Sequence, residues 1–367
     1  MITKLHLSNF KAFKELEINT SNLNVFAGLN GIGKSTVIQA LLLLRQSFLK
    51  LGSPDSQGIY LKGDLIDLGT GKDVLHNDAS EEKIGIEVEF DFKTQLKCSG
   101  IYQKDENILQ FANKDITWDS SRSLFNNNFQ YLSAQRAEPS FSYPMDSFKV
   151  DKQKSIGKYG EYTAHFIAQN KRKEISLKDI LNKNAKSNHL INQIIGWLNE
   201  MSPGITLDST LYPELNLAKI TYNFSRESGY SSDFSPVNVG FGYSYILPVL
   251  TAILAAEKDH LIIIENPESH LHPQGQAILG VLLAKAAQSG IQLFIETHSD
   301  HVINGIRVAI KDKYISKDIV RIFFIDREEN ESHSEIQYPV IDDKGRLSNP
   351  PKGFLDEFSN QLDQLLQ

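Results

Sequence analysis

A strand-like run, Asn24-Val25-Phe26-Ala27, leads directly into Gly28-Leu29-Asn30-Gly31-Ile32-Gly33-Lys34-Ser35 and then into a strongly apolar helix. This constrains the fold more than anything else in the chain, because G-x-x-x-x-G-K-[ST] between a strand and a helix is a phosphate-binding loop. The glycines let main-chain N–H groups close around phosphate oxygens at the positive end of the helix. Candidate triphosphate ligands are Asn30, Gly31, Gly33, Lys34, Ser35 and Thr36. Lys34 is expected to reach the β- and γ-phosphates, and the Ser35 hydroxyl to ligate magnesium. The expected cofactors are ATP and Mg2+.

With 367 residues the chain has room for one large α/β domain with an insertion, or two modest ones. A net charge of −7 provides no global pull toward DNA or an acidic membrane. Cys98 is the single cysteine, which excludes an internal disulfide framework and suits a reducing cytosol. Met1–Phe10 mixes charged and apolar residues and does not read as a signal peptide. The longest apolar stretches, Val37–Leu44 and Tyr245–Ala256, fall well short of the roughly 20 residues that a spanning helix needs. A cytoplasmic protein with no membrane partner is expected.

Ile2–Phe13 alternates like a half-exposed strand, Leu16–Ile18 reads as its antiparallel partner, and Leu23–Ala27 as the buried strand before the loop. Ser35 to about Leu51 is apolar nearly all round and should lie under a sheet. From Ile84 to Phe129 alternation predicts meandering antiparallel strands, and Phe129–Tyr143 reads as a short strand followed by a polar turn. Lys149 to Pro203 is helical in pattern, and between Lys149 and Lys186 it carries 10 Lys/Arg against 4 Asp/Glu. Beyond Leu215, strand and helix alternate: Ala218–Phe224, Tyr245–Glu257, Leu261–Glu265, Gly275–Ser289, Ile291–Glu296, His301–Lys313, Ile319–Asp326 and Glu335–Ile341. That order is the signature of parallel βαβ winding. The expected domains are an N-terminal lobe with the phosphate loop (1–148), a helical lid (149–214) and a C-terminal lobe (215–367). No heptads persist, so no long coiled-coil arm is expected.

A phosphate loop needs a carboxylate at the end of a neighbouring buried strand to position magnesium and the attacking water. His260-Leu-Ile-Ile-Ile-Glu265 supplies one, followed at once by Asn266-Pro267-Glu268-Ser269-His270-Leu271-His272-Pro273. Ile291-Gln-Leu-Phe-Ile-Glu296 is a second apolar strand and ends in Thr297-His298-Ser299-Asp300. Upstream, Asn238-Val-Gly-Phe-Gly-Tyr-Ser244 opens a further helix.

This order resembles the ABC-type ATPases of the RecF, SMC and OLD group. The resemblance implies an α/β fold: an ABC-type P-loop ATPase head with an antiparallel β lobe, a mixed or parallel core sheet and an α-helical insertion. It also implies that Glu265 positions magnesium, that His298 senses the γ-phosphate, and that Ser269–Pro273 crosses between two subunits. Gly240, Gly242 and Ser244 fall at the small-residue motif that docks on the γ-phosphate held by a partner subunit, so a homodimer closing around two ATPs is implied. One position departs: Asn266 stands where the group keeps its general-base glutamate. An amide orients a water but cannot take its proton. Either Glu268 performs that role or hydrolysis is slow.

The segments Glu265–Gln276, Ile341–Asp356, Tyr131–Arg136 and Asp67–Gly69 are similar to a bacterial and archaeal predicted-ATPase family with a C-terminal domain of unknown function. Related ATPases occur in anti-phage defence beside a separate effector protein, so such an effector and an antiviral role are what the resemblance suggests. Arg136 reads either as a phosphate-directed or coupling residue or as a surface salt-bridge arginine. His270 and His272, two apart, do not share a helix face, which favours capping or interface roles over a metal site. Asp342-Asp343-Lys344-Gly345 reads as a hairpin turn. The lysines of 149–186 could face nucleic acid, but few aromatics interleave to stack bases. Asp326 and Glu328–Glu329 read as a turn, and the stretch after His298 is too short for an appended nuclease domain. Three functions stay open: an ATP-hydrolysing switch that controls an effector, a low-turnover ATP-binding scaffold, and a RecF-like DNA-repair ATPase.

Overall fold

The computed structural model describes every residue except 52–57, 114–115, 227–228, 231, 328–332, 349, 352–353, 355–356 and 367. The chain divides into two compact units, one formed by residues 1–126, 320–342 and 347–367, the other by residues 127–319 and 343–346. Residues 149–214 fall inside the second unit and are not set apart as a unit of their own.

In the first unit, alternation in Ile2–Phe10 buries Ile2, Leu5, Leu7 and Phe10. This strand pairs antiparallel with Phe13–Asn19 on one side and Lys83–Phe90 on the other, and Gln95–Ile101 completes the sheet. The first strand stops at Phe10, earlier than its alternation predicts. Asn9 and Lys11 take positive φ (52° and 49°), which ends the extended backbone and turns it into a hairpin. The phosphate-loop strand, Leu23–Gly28, runs parallel to Val320–Asp326, which pairs antiparallel with Glu335–Gln337. Phe26 and Phe323 stack across the parallel pair at 4.8 Å. The helix after the loop, Lys34–Phe48, buries Val37, Ile38 and the run Ala40–Leu44.

In the second unit, Leu261–Glu265 lies between Gln292–Glu296 and Phe129–Leu132, parallel to both. The antiparallel meander stops at Ile108–Gln110, earlier than its alternation predicts, while Phe129–Leu132 is the separate short strand expected to begin at Phe129. Four consecutive buried residues, Phe129–Leu132, suit a parallel strand covered on both faces. Helices Pro273–Gln288 and Asp300–Lys311 pack at a glycine contact. A Cβ on Gly280 would lie 2.2 Å from the Val302 carbonyl oxygen, and one on Gly305 would lie 2.1 Å from that of Ala277. Any side chain there would force the helices apart.

The lysine-rich segment is less helical than its pattern suggests. It contains a π-helix (Phe148–Lys152), two α-helices (Thr163–Asn170 and Leu190–Met201) and a 3-10 turn (Lys178–Ile180), joined by irregular chain. Gly157 and Gly160 adopt positive φ (84° and 75°) and break the first stretch. Elsewhere Trp197 Nε1 donates to the Ile180 carbonyl at 2.9 Å, holding the 3-10 turn against the longer helix. The hairpin Ile205–Tyr212 with Leu217–Arg226 follows. No helix among the described residues is long and apolar enough to cross a membrane.

Candidate functional site

The phosphate loop of the first unit is shaped by three glycines with φ of 134°, 77° and 106° at Gly28, Gly31 and Gly33. Gly28 is obligatory twice over, since a Cβ would stand 2.2 Å from the Ile325 carbonyl oxygen. At Gly33 a Cβ would stand 2.5 Å from that of Ala12, in the turn of the first hairpin. Asn30 and Gly31 are exposed, Ser35 is half-buried and Thr36 is buried. The Lys34 ammonium is buried and donates to the Gly28 carbonyl at 2.9 Å and to the Leu29 carbonyl. Gly33, the N-cap of Lys34–Phe48, offers no side chain to the first turn, and no acidic residue sits there. Helix-terminal N–H groups of that kind make a ready anion site. The loop thus fits a polyphosphate, with Lys34 as its cation and the Ser35 hydroxyl beside the first turn.

In the second unit, Ile264 is level with Leu132, and Glu265 with Glu296. Their carboxyl ends share one edge, where parallel sheets bind ligands. The Glu265 carboxylate is held from both sides: Tyr131 Oη donates to Oε1 at 3.1 Å, and the Ala134 N–H to Oε2 at 2.9 Å. Burial, reinforced by the Glu265 charge, raises the Tyr131 phenol well above its ordinary range, so it stays a donor. Arg136 Nη2 donates to the Glu265 carbonyl at 2.9 Å. Each Glu265 oxygen still has a lone pair for a cation, and such supporting hydrogen bonds are what orient a metal-binding carboxylate.

Asn266 follows with φ of 45°, and its N–H donates to the Glu296 carbonyl at 2.8 Å. Glu268 is buried, and one of its oxygens accepts the His298 N–H at 2.9 Å. Burial pushes its carboxyl pKa up, while the His298 N–H and the charge of Arg136 oppose that shift. Glu268 therefore ties the loop after the acidic strand to the segment that carries His298, whose side chain is exposed. The next helix, Asp300–Lys311, is capped by the Ser299 hydroxyl, which accepts from the Val302 N–H at 3.0 Å.

The motif at 238–244 divides. Gly240 is the N-cap of Phe241–Ala255, and nothing lies within 4 Å of where its Cβ would be. Gly242 is required by close approach, its Cβ position being 2.7 Å from the His270 carbonyl oxygen. Ser244 points elsewhere: it is buried and lines a small cavity with Tyr143 and Tyr222. Its place one turn into the helix turns it toward the unit's own core. The helix also begins at Phe241, four residues before the predicted Tyr245. Exposed Phe241 sits against His270 (5.8 Å), which packs edge-on to Tyr245 at 4.5 Å.

Three sequence readings settle here. Arg136 is only 3 % exposed and makes no ion pair among the described residues, so it is no surface salt-bridge arginine. Burial lowers its pKa to about 10, still charged at neutral pH. His272 is the N-cap of Pro273–Gln288 and accepts from the Gln274 N–H at 3.4 Å, the capping role expected. Val340–Ile341 and Leu347–Ser348 pair antiparallel around Asp342–Gly345, with Gly345 at φ 72°, as the turn reading requires. Glu328 and Glu329 lie outside the described residues. Of the insertion's lysines, Lys171 pairs with Asp208 at 3.0 Å and Lys173 with Glu257 at 3.1 Å. The supports of Glu265 from Tyr131 and Ala134 were not read as such from sequence. The only hint was the Tyr131–Arg136 segment.

Residues 23–304 match the family model described as "AAA domain, putative AbiEii toxin, Type IV TA system", and residues 315–365 match "Protein of unknown function (DUF3696)". Among solved structures, the chain is similar to an SMC head bound to the C-terminal winged-helix domain of ScpA. Identity there is 15%, covering 92% of this chain and 98% of that one, with a TM-score of 0.53. It is also similar to the SMC head with an extended coiled coil bound to the C-terminal domain of ScpA from Pyrococcus furiosus. Identity there is 12%, coverage 100% and 99%, and the TM-score 0.52. No curated protein matches the chain. The chain belongs to the AAA-domain family of the first match, and its fold is that of the ABC-type P-loop ATPase heads of the RecF, SMC and OLD class.

Proposed function

We propose that this protein is an ATP-hydrolysing switch whose nucleotide-driven dimerisation controls a separate effector, in a setting such as phage defence. The observation that carries the reading is the phosphate loop: three left-handed glycines, a buried lysine and an uncapped helix N-terminus in one turn of chain. Asn30, Gly31, Gly33 and Thr36 bind phosphate through the loop and its first helical turn. Lys34 leaves the Gly28 and Leu29 carbonyls for the β- and γ-phosphates. Ser35 and Glu265 hold magnesium, which when bound offsets charge on the phosphates. His298 reads the γ-phosphate. Gly240 and Gly242 dock on the triphosphate of a second copy, while the Ser244 hydroxyl faces the unit's own core.

Asn266 orients the attacking water without accepting its proton. Glu268, two residues on, is the carboxyl that can act as base while Glu265 holds the metal, and its raised pKa suits that task. Because one of its oxygens already holds the His298 N–H, slow turnover is expected. Phosphate release from purified protein, with light scattering plus and minus ATP, tests the reading. Slow, Lys34-dependent release with ATP-induced dimers supports the switch. Tight ATP binding with no release supports the scaffold reading, which Asn266 favours. Steep stimulation by DNA would instead support the repair reading.

A further inference from the structure

Arg136 is a buried cation to which nucleotide binding, as read above, gives no task. One of its N–H groups reaches the Glu265 carbonyl at 2.9 Å, while Nε and Nη1 are buried without a partner. Two acceptors of the same cluster are also buried without partners, Asn266 Oδ1 and Glu268 Oε2. Unpaired buried polar atoms are rare in native proteins, and each asks for a reason. Two of them belong to the loop Glu265–Glu268, and the other two to the guanidinium that reaches its first carbonyl. That loop is stitched to the next strand end by two hydrogen bonds, Asn266 N–H to the Glu296 carbonyl and His298 N–H to Glu268. Charged neighbours of the guanidinium are Glu265 and Glu268, with the phenols of Tyr131 and Tyr245 beside them. Tyr245 belongs to the helix that Gly240 caps.

We propose that Arg136 is a positioning residue: it fixes the Glu265 main chain and orients Glu268, so that Glu268 in turn holds the His298 segment. A fork of N–H groups can address the carbonyl and the loop acceptors together. The ammonium of lysine carries three donors on one point and lacks the planar fork that spans separated acceptors. The kinetic consequence rests on the ATPase reading, but the structural one does not.

The test uses full-length R136K and E268Q proteins, with R136M as a second variant should R136K repack. Amide hydrogen exchange is measured without nucleotide. Peptides over 265–269 and 296–299 should exchange at least about tenfold faster in R136K, while the phosphate loop is unchanged. With ATP, R136K should lose about tenfold or more in kcat, with KM within about threefold of wild type. The double variant R136K/E268Q should be no slower than the slower single variant, because both act through one latch. Exchange within about twofold of wild type at both segments overturns the proposal, as do kcat losses that multiply. If wild type releases no phosphate, the ATPase reading fails, and the exchange measurement still decides the role of Arg136.

Discussion

Between Gly28 and Gly33 the chain turns through positive-φ glycines with Asn30 and Gly31 exposed, whereas the Glu265 and Glu268 carboxylates are already tied to neighbouring N–H and hydroxyl groups. In the loop, three glycines at positive φ lead into a helix whose N-cap has no side chain, and the lysine rests on two carbonyls. In the acidic cluster, Tyr131 and Ala134 grip Glu265, Arg136 grips its carbonyl, and Glu268 grips His298. That cluster is already hydrogen-bonded, with Arg136 Nε and Nη1, Asn266 Oδ1 and Glu268 Oε2 left unpaired among the described residues. Substitutions should therefore separate the two regions: loop side chains should matter for affinity more than for stability, and cluster side chains for both.

The largest effect is expected from Lys34→Ala. Phosphate release should fall by about 100-fold or more, because the charge reaching the β- and γ-phosphates is lost. Thermal unfolding should barely move, since Lys34 bonds chiefly to loop carbonyls. A large loss of stability in that variant would break the comparison. Gly28→Ala tests the loop's backbone instead. A Cβ 2.2 Å from the Ile325 oxygen, at φ 134°, should cost about 3 kcal/mol in denaturant unfolding. An unchanged midpoint would mean that the loop is softer than its geometry indicates.

Tyr131→Phe removes one hydrogen bond to a carboxylate and should cost about 1.5 kcal/mol of stability together with a several-fold loss of turnover. If turnover fell and stability did not, the cluster would be no more interlocked than the loop. The smallest effect on stability is expected from Glu268→Gln and carries a sign. Burial raises the folded carboxyl's pKa above its unfolded value, so the ionised group costs stability above that pKa, and the cost fades as pH falls. The glutamine variant should thus melt at or slightly above wild type at pH 8, with the gap closing toward pH 5. A variant that melts lower at every pH would show that the charge itself holds the latch.

The strand–loop–helix was legible because its chemistry is local: three glycines, Lys34 and Ser35 lie within eight consecutive residues. The acidic strand was legible because Leu261–Ile264 is fully apolar and ends abruptly in Glu265. What held Glu265 was not legible, since Tyr131 lies 134 residues away and meets it only when two parallel strands align. Arg136 was ambiguous for the same reason. Burial is a property of neighbours, and the sequence around it, Ala134-Gln135-Arg136-Ala137-Glu138, is that of an ordinary surface loop. The lysine-rich segment was over-read as helix because lysine and asparagine tolerate several backbones, and positive-φ glycines such as Gly157 decide among them. Ser244 was misdirected by assigning the motif as a block, when helix geometry turns one member inward.

Magnesium dependence of ATP affinity, measured by calorimetry on wild type, Lys34→Ala and Glu265→Gln, tests the central claim most directly. The account predicts that magnesium tightens wild-type binding by about tenfold or more, that Glu265→Gln binds ATP but loses this gain, and that Lys34→Ala binds with neither. A wild type that binds no ATP, or a Glu265→Gln variant that keeps the full magnesium effect, would contradict it.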